Sequence, residues 1–328
     1  PPIHRPTMKC KTADFPDVFV STQQLVKVGL LVALFLLATA TAANAESLND
    51  DRKAMFDSFK VRYGRTYASA QEEQERFIVF NENLDIAAVH SGRNPLAIFG
   101  INEFADVSKE EFKVYHSAEH IYAREAVRKA AAGNPNMLSK QQIPSLQAGQ
   151  KIDWRAKGAV TAVKNQGLHC GSCYSFSSTG NIEGQWFLAG NPLTSLSEQE
   201  IVSCQPKPAP KAGGCHGGLP DITMEWLMSA HNGAIVTEAS YPYVSGDGTV
   251  PACNMNSQRQ FGARISGHHD IPHDEDSMAA YTFAHGPISI GVDGSSFQTY
   301  AGGILTDCAS AQVDHAVLIV GFDETGAT

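Results

Sequence analysis

The placement of seven cysteines limits what this 328-residue chain can fold into more than any other feature. Cys10 stands near the start, none occurs from Glu46 to Gln142, and Cys170, Cys173, Cys204, Cys215, Cys253 and Cys308 follow. Between the first and the rest lies the apolar run VGLLVALFLLA (28–38), with Lys27 before it and Ala43-Asn44-Ala45 after it. A basic flank, a short apolar core and an A-x-A site read as a secretory signal cleaved after Ala45. The run is short for a membrane span, and a signal anchor is the alternative. Export predicts an oxidising compartment, so the remaining cysteines can be read as disulfides. The expected location is the secretory pathway. No N-x-[ST] acceptor occurs, so that motif predicts no glycan.

The cysteine-free stretch is charged, Ala-rich and helical in pattern. Phe56, Phe59 and Tyr63, then Phe77, Phe80 and Leu84, recur at spacings of three and four, an apolar stripe on each of two amphipathic helices. Ser69, three residues before Glu72, can cap the second helix, and Asn94-Pro95 ends it. LAIFGINEF then alternates loosely like an edge strand. Residues 116–150 read as an exposed linker open to proteolysis. A hydrophobic fraction of 43% can bury a real core, and 18% charged residues exclude a largely disordered chain. A net charge of −9 argues against a nucleic-acid binder.

After Asp153-Trp154-Arg155 the composition turns to Val, Gly and Cys. The stretch Gln166-Gly-Leu-His-Cys170-Gly-Ser-Cys173-Tyr174 leads into YSFSSTGNIEGQWFLAG, with Phe176, Ile182 and Trp186 at helical intervals and Gly190 as the stop. A thiol there would start a helix, where backbone amides and the dipole favour thiolate. Two other readings of these cysteines are a redox C-x-x-C pair (Cys170, Cys173) and a zinc site on Cys204, Cys215 and His216. The first lacks a βαβ setting and the second lacks paired ligands. Further on, LSEQEIVSC (196–204), Cys215-His-Gly217-Gly218-Leu219-Pro220 and VDHAVLIVGF (313–322) place a Gly pair and a strand histidine, His315, 142 residues after Cys173.

Together these spellings resemble the papain family of cysteine proteases, in its cathepsin L-like, cruzipain-type branch. Glu72, Arg76, Phe80 and Asn83 reproduce the first four positions of the family's propeptide E-R-F-N-I-N pattern; Ala87 and Ser91 depart from the last two. Gly100, Asn102, Phe104 and Asp106 complete its G-x-N-x-F-x-D pattern. The resemblance implies an α+β papain-like fold, with a helical left domain carrying Cys173 and a β-rich right domain carrying His315. It implies a leader (1–45), an inhibitory propeptide (46–148) lying backwards through the cleft, and a peptidase domain (149–328). Cys173 would be the nucleophile, His315 the base and acid, and Gln166 an oxyanion-hole donor. Gly217, Gly218, Leu219, Pro220 and Ala316 would contact substrate. Disulfides Cys170–Cys215 and Cys204–Cys253 follow from the same resemblance and leave Cys308 unpaired. The implied partners are protein and peptide substrates, the chain's own propeptide and cystatin-like inhibitors, with a monomer expected and neither metal nor organic cofactor.

Two departures bear on activity. Six residues separate Gln166 from Cys173 where the family has five, which could displace Gln166. No Asn follows His315 to orient the imidazole, and adjacent Asp314 points to the other strand face. With Pro1 at the start and Cys308 alone, the chain reads as a precursor fragment stopping before the last strands, itself poorly active. The rival reading is a catalytically inactive homologue that binds or inhibits.

Overall fold

The computed structural model describes residues 48–116, 118–207, 213–256, 258–307 and 312–323. The leader and Cys308 lie outside them. The chain divides into two compact units: residues 1–108 with 296–308, and 109–295 with 309–328. The boundary falls inside the expected propeptide, so residues 109–142 belong structurally with Cys173.

In the first unit, helix α1 (48–63) and helix α2 (Ala70–Arg93) bury Phe56, Phe59, Phe77 and Phe80 in one aromatic cluster, with Tyr63, Tyr67, Leu84 and Ile101 around it. Ser69 caps α2 by accepting from the Glu72 amide at 3.1 Å, while the Glu72 carboxylate takes the Ala68 amide at 2.6 Å. One first-turn donor and the amide just before the cap are thus satisfied from the sequence spacing of three. Asn94 closes the helix, and strand β1 (Ala97–Phe99) follows, antiparallel to β6 (Tyr300–Gly303). The propeptide spellings interlock here. Asn83 donates to the carbonyls of Ala105 and Val107 at 3.0 and 2.9 Å, and Arg76 donates to the Asp106 carbonyl at 3.1 Å. The Asp106 carboxylate accepts from Tyr67 at 2.9 Å, and Asn102 accepts from the Phe104 amide at 2.9 Å. Polar residues of α2 and the G-x-N-x-F-x-D turn therefore fix one another's backbone, as buried polar groups must.

The second unit centres on α5 (Cys173–Leu188), which packs with α6 (Glu198–Cys204) and α7 (Pro220–His231) around Tyr174, Ile182, Leu196, Ile201, Leu227 and Ile235. Among the described residues the strands form four short antiparallel pairs. Those of this unit are β2 (Lys151–Asp153) with β8 (Gly321–Asp323), β3 (Ala234–Val236) with β4 (Phe261–Arg264), and β5 (Ile288–Val292) with β7 (His315–Ile319). Small residues on α5 let β7 approach: Ser177 donates to the Val317 carbonyl at 2.8 Å, and a methyl at Gly180 would meet Leu318 at 3.0 Å. Beneath α5, Lys164 pairs with Glu183 and Glu198 at 3.0 and 2.7 Å, and Thr161 and Thr179 donate to the same carboxylates. Buried charge is tolerated there because it is paired and hydrogen-bonded.

One expectation is corrected. Residues 116–150 are not all linker, since Glu119–Ala132 form helix α4, after the shorter α3 (Lys109–Tyr115). EHIYAREAVRKAAA is rich in strong helix formers, and Ile121 is buried against Leu219, so packing adds to propensity. No helix among the described residues is long and apolar enough to cross a membrane.

Candidate active site

Cys173 opens α5, and among the described residues it is the free thiol. The preceding Ser172 does not cap the helix; its hydroxyl instead bonds the Tyr243 hydroxyl at 2.8 Å. First-turn amides are thereby left for the sulfur, and those of Tyr174 and Cys173 itself favour its thiolate, as does the Ala316 amide from β7. Ala316 and Cys173 share one core cluster, which puts the neighbouring His315 at the same end of the α5–β7 contact.

Gln166 is buried and directs its amide inward. Nε2 donates to the carbonyls of Cys170 at 2.8 Å and Tyr115 at 2.9 Å. Between Gln166 and Cys170 the chain turns at Leu168-His169. Gly167 has a φ of +76° and packs on Gly246, where any side chain would fall within 2.6 Å of backbone, and the His169 amide reaches the Gly246 carbonyl at 3.4 Å. The Gln166 carbonyl is held by the Tyr243 hydroxyl at 2.8 Å.

Tyr115 links these groups, for the residue whose carbonyl takes the Gln166 amide also lays its ring 5.3 Å from that of His315. Next to it, His116 Nδ1 bonds Asp314 Oδ2 at 2.6 Å, and Asp314 Oδ1 accepts from the Gly294 amide at 2.8 Å. Asp314 is therefore engaged away from the His315 ring, in keeping with strand alternation. On α4, Tyr122 lies close enough to Cys173 for the sulfur to raise the cost of ionising the phenol, after burial, and its hydroxyl has no hydrogen-bond partner among the described residues.

Residues 109–142 form an arm packed in the same unit as Cys173. Burial pushes the Cys173 thiol up to about 11, against the pull of the Ala316 and Tyr174 amides. Burial, then the charge of His116, pulls His315 down to about 4, with Asp314 opposing. Both groups are neutral near pH 7 in this state, so the sulfur is a thiol rather than a nucleophile.

The Gly pair lies alongside. A methyl on Gly217, at φ +85°, would meet Ala118 and Ile121 at 3.1 Å, and Gly218 sits on the Tyr174 ring, where a methyl would come within 2.6 Å. Leu219 is buried with Ile121, Tyr122 and Ile222, and Pro220 starts α7. Cys170 is bonded to Cys215 and Cys204 to Cys253, which removes the redox pair and the zinc site as readings. The described residues contain no group of three or more His, Cys, Asp or Glu able to hold a metal ion. Tyr115, His116, Tyr122 and Asp314 were not read as functional from the sequence. The available signal was a Tyr-His pair and an aromatic on a helical face, neither of which points to a site until its neighbour across the fold is known.

Residues 148–328 match the family model described as papain family cysteine protease, and residues 56–112 match the cathepsin propeptide inhibitor domain (I29). A cysteine proteinase of Trypanosoma brucei brucei is 43% identical over 295 residues, covering 90% of this chain and 63% of that protein. Cysteine proteinase B of Leishmania mexicana is 44% identical over 296 residues (90% and 65%), and cathepsin L of Sarcophaga peregrina is 37% identical over 309 residues (90% and 87%). The chain thus spans somewhat less than two thirds of the length of the Trypanosoma and Leishmania relatives. Among solved structures, procathepsin L 3 of the Tenebrio molitor larval midgut aligns with a TM-score of 0.66 at 30% identity, covering 83% of this chain and 84% of that one. A recombinant stem bromelain precursor aligns equally well at 28% identity, covering 83% and 82%.

Proposed function

The chain belongs to the papain family of cysteine proteases, and we propose that it is the precursor of a cysteine endopeptidase whose chemistry rests on Cys173, His315 and Gln166. The observation that carries this reading is the convergence on Tyr115. Tyr115 occupies the Gln166 amide and lays its ring against that of His315, while Tyr122 lies near Cys173. With the arm gone, water and substrate reach a thiol at a helix N-terminus next to an imidazole, and proton transfer between them gives the thiolate–imidazolium pair.

The thiolate attacks the scissile carbonyl carbon. The Gln166 amide and the Cys173 backbone N–H receive the oxyanion of the tetrahedral intermediate. His315 gives its proton to the leaving amine, and a thioester remains on Cys173. His315 then takes a proton from water, hydroxide attacks the thioester, and the carboxylic acid leaves as the thiol is regenerated. Gly218 holds the upstream backbone of the substrate, which is extended as in strand addition, with Leu219, Pro220 and Ala316 lining the side-chain pocket. The arm escapes cleavage because it crosses this region as helices α3 and α4 rather than as an extended chain.

Residues 1–45 serve as the leader, 46–148 as the inhibitory propeptide and 149–328 as the peptidase domain. The substrates are proteins and peptides, and the working form is a monomer in the secretory pathway, lysosome-like or extracellular, open to cystatin-like protein inhibitors. The deciding experiment takes the full-length gene product, acidifies it, titrates it with an epoxide thiol reagent and assays a dipeptide substrate. Labelling confined to Cys173 with matching loss of turnover is expected. Absence of labelling, or labelling of a protein that never turns over substrate, contradicts the protease reading and favours an inactive homologue.

A further inference from the structure

Lys129, on α4, places its ammonium between two carboxylates of the second unit: Asp221 Oδ2, on α7, at 2.7 Å, and Asp270 Oδ2 in direct contact. Asn134 Nδ2 donates to the same Asp270 oxygen at 2.5 Å. Both carboxylates are about five-sixths buried, with side-chain exposures of 16% each. Glu225, one turn beyond Asp221 on α7, adds negative charge beside Arg128. The backbone of Asp270 is also in use by the arm. Its amide donates to the Asn136 carbonyl at 3.0 Å, its carbonyl accepts from the Leu138 amide at 2.9 Å, and Met137 forms a parallel bridge with it. A cation and an extended chain are thus both seated at Asp270, supplied by a segment that maturation removes.

The geometry points to a substrate subsite here: once the arm leaves, Asp221 and Asp270 receive a lysine or arginine side chain of the substrate peptide, and the Asp270 backbone edge pairs with its main chain. Lys129 is seven residues beyond Tyr122 along α4, a rise of about 10 Å. An extended substrate covers that distance in about three residues. The path passes Leu219, which packs on Ile121 and Tyr122. The favoured position is therefore the third or fourth residue upstream of the scissile bond. This inference rests on the protease reading, since it assigns a preference to that activity.

The experiment uses the matured full-length gene product and internally quenched peptides that differ only at the third, fourth or fifth upstream residue, carrying Lys, Ala or Glu. Rates are normalised to active sites titrated by the epoxide, which also removes any misfolded fraction. Lys is expected to exceed Ala by about fivefold in kcat/KM at the third or fourth position, with Glu below Ala. In Asp221→Asn/Asp270→Asn the Lys-to-Ala ratio should fall below about twofold, and raising the salt should lower it in the wild type alone. Equal rates for Lys and Ala in the wild type, or an unchanged ratio in the double variant, overturn the subsite while leaving the protease reading intact. Failure to cleave even the Ala peptide, with Cys173 unlabelled, overturns the protease reading itself.

Discussion

The donor role proposed for Gln166 makes a sharp prediction. Its amide is buried and aimed at a carbonyl, so Gln166→Ala removes a preorganised donor without emptying the core. We expect kcat/KM to fall by about 10²–10³ while epoxide labelling of Cys173 survives, a separation that stopped-flow labelling beside steady-state assay can check. Gly218 gives the opposite kind of test. A methyl there would meet the fully buried Tyr174 ring at 2.6 Å. Gly218→Ala should therefore cost about 1–3 kcal/mol in urea unfolding, with an unaltered midpoint counting against this packing. Cys173, His315, Gln166 and the Gly pair were legible as residues because their spellings are short and contiguous. His116 and Asp314 were not, because they lie 198 residues apart in sequence and meet only in the fold.

Among the elements, the propeptide divides into two kinds of information. Helices α1 and α2 and strand β1 were legible from periodicity and caps, since their aromatic stripe and the Ser69–Glu72 spacing are local signals. Helix α4 was read as linker, because its Ala, Glu, Lys and Arg are as common in exposed segments as in helices, and its burial depends on Ile121 meeting Leu219. The arm's hold on the site includes the His116–Asp314 pair. Truncating one partner of a buried charge-assisted hydrogen bond leaves the other unsatisfied. Propeptide carrying His116→Ala, supplied in trans, should inhibit the mature enzyme about tenfold more weakly, and equal inhibition constants would show that the pair adds nothing.

At the level of the whole molecule, acid should act differently on the arm and on the body. His315, held down to about 4 by burial and then by the charge of His116, with Asp314 opposing, resists protonation while the arm is seated. Its contribution is fully present above about pH 6.5 and is lost as pH falls toward 4, because the opened chain binds that proton more readily. Glu200 has the opposite sign: burial raises it to about 7 against the Val236 amide, so its contribution grows as pH falls from about 7 to 4.5. In the Cys173→Ala precursor, hydrogen exchange of residues 109–138 should therefore quicken between pH 6.5 and 4 while α5 and α6 stay protected; uniform loss of protection would contradict this. In the proposed mechanism the arm keeps Cys173 and His315 neutral, and its departure creates the ion pair. The pH dependence of Cys173 alkylation by iodoacetamide, followed by mass spectrometry in precursor and matured enzyme, tests it most directly. The precursor should be nearly inert below pH 8 and the matured enzyme already reactive near pH 5, with an apparent thiol pKa of about 4. Superimposable profiles for the two forms would contradict it.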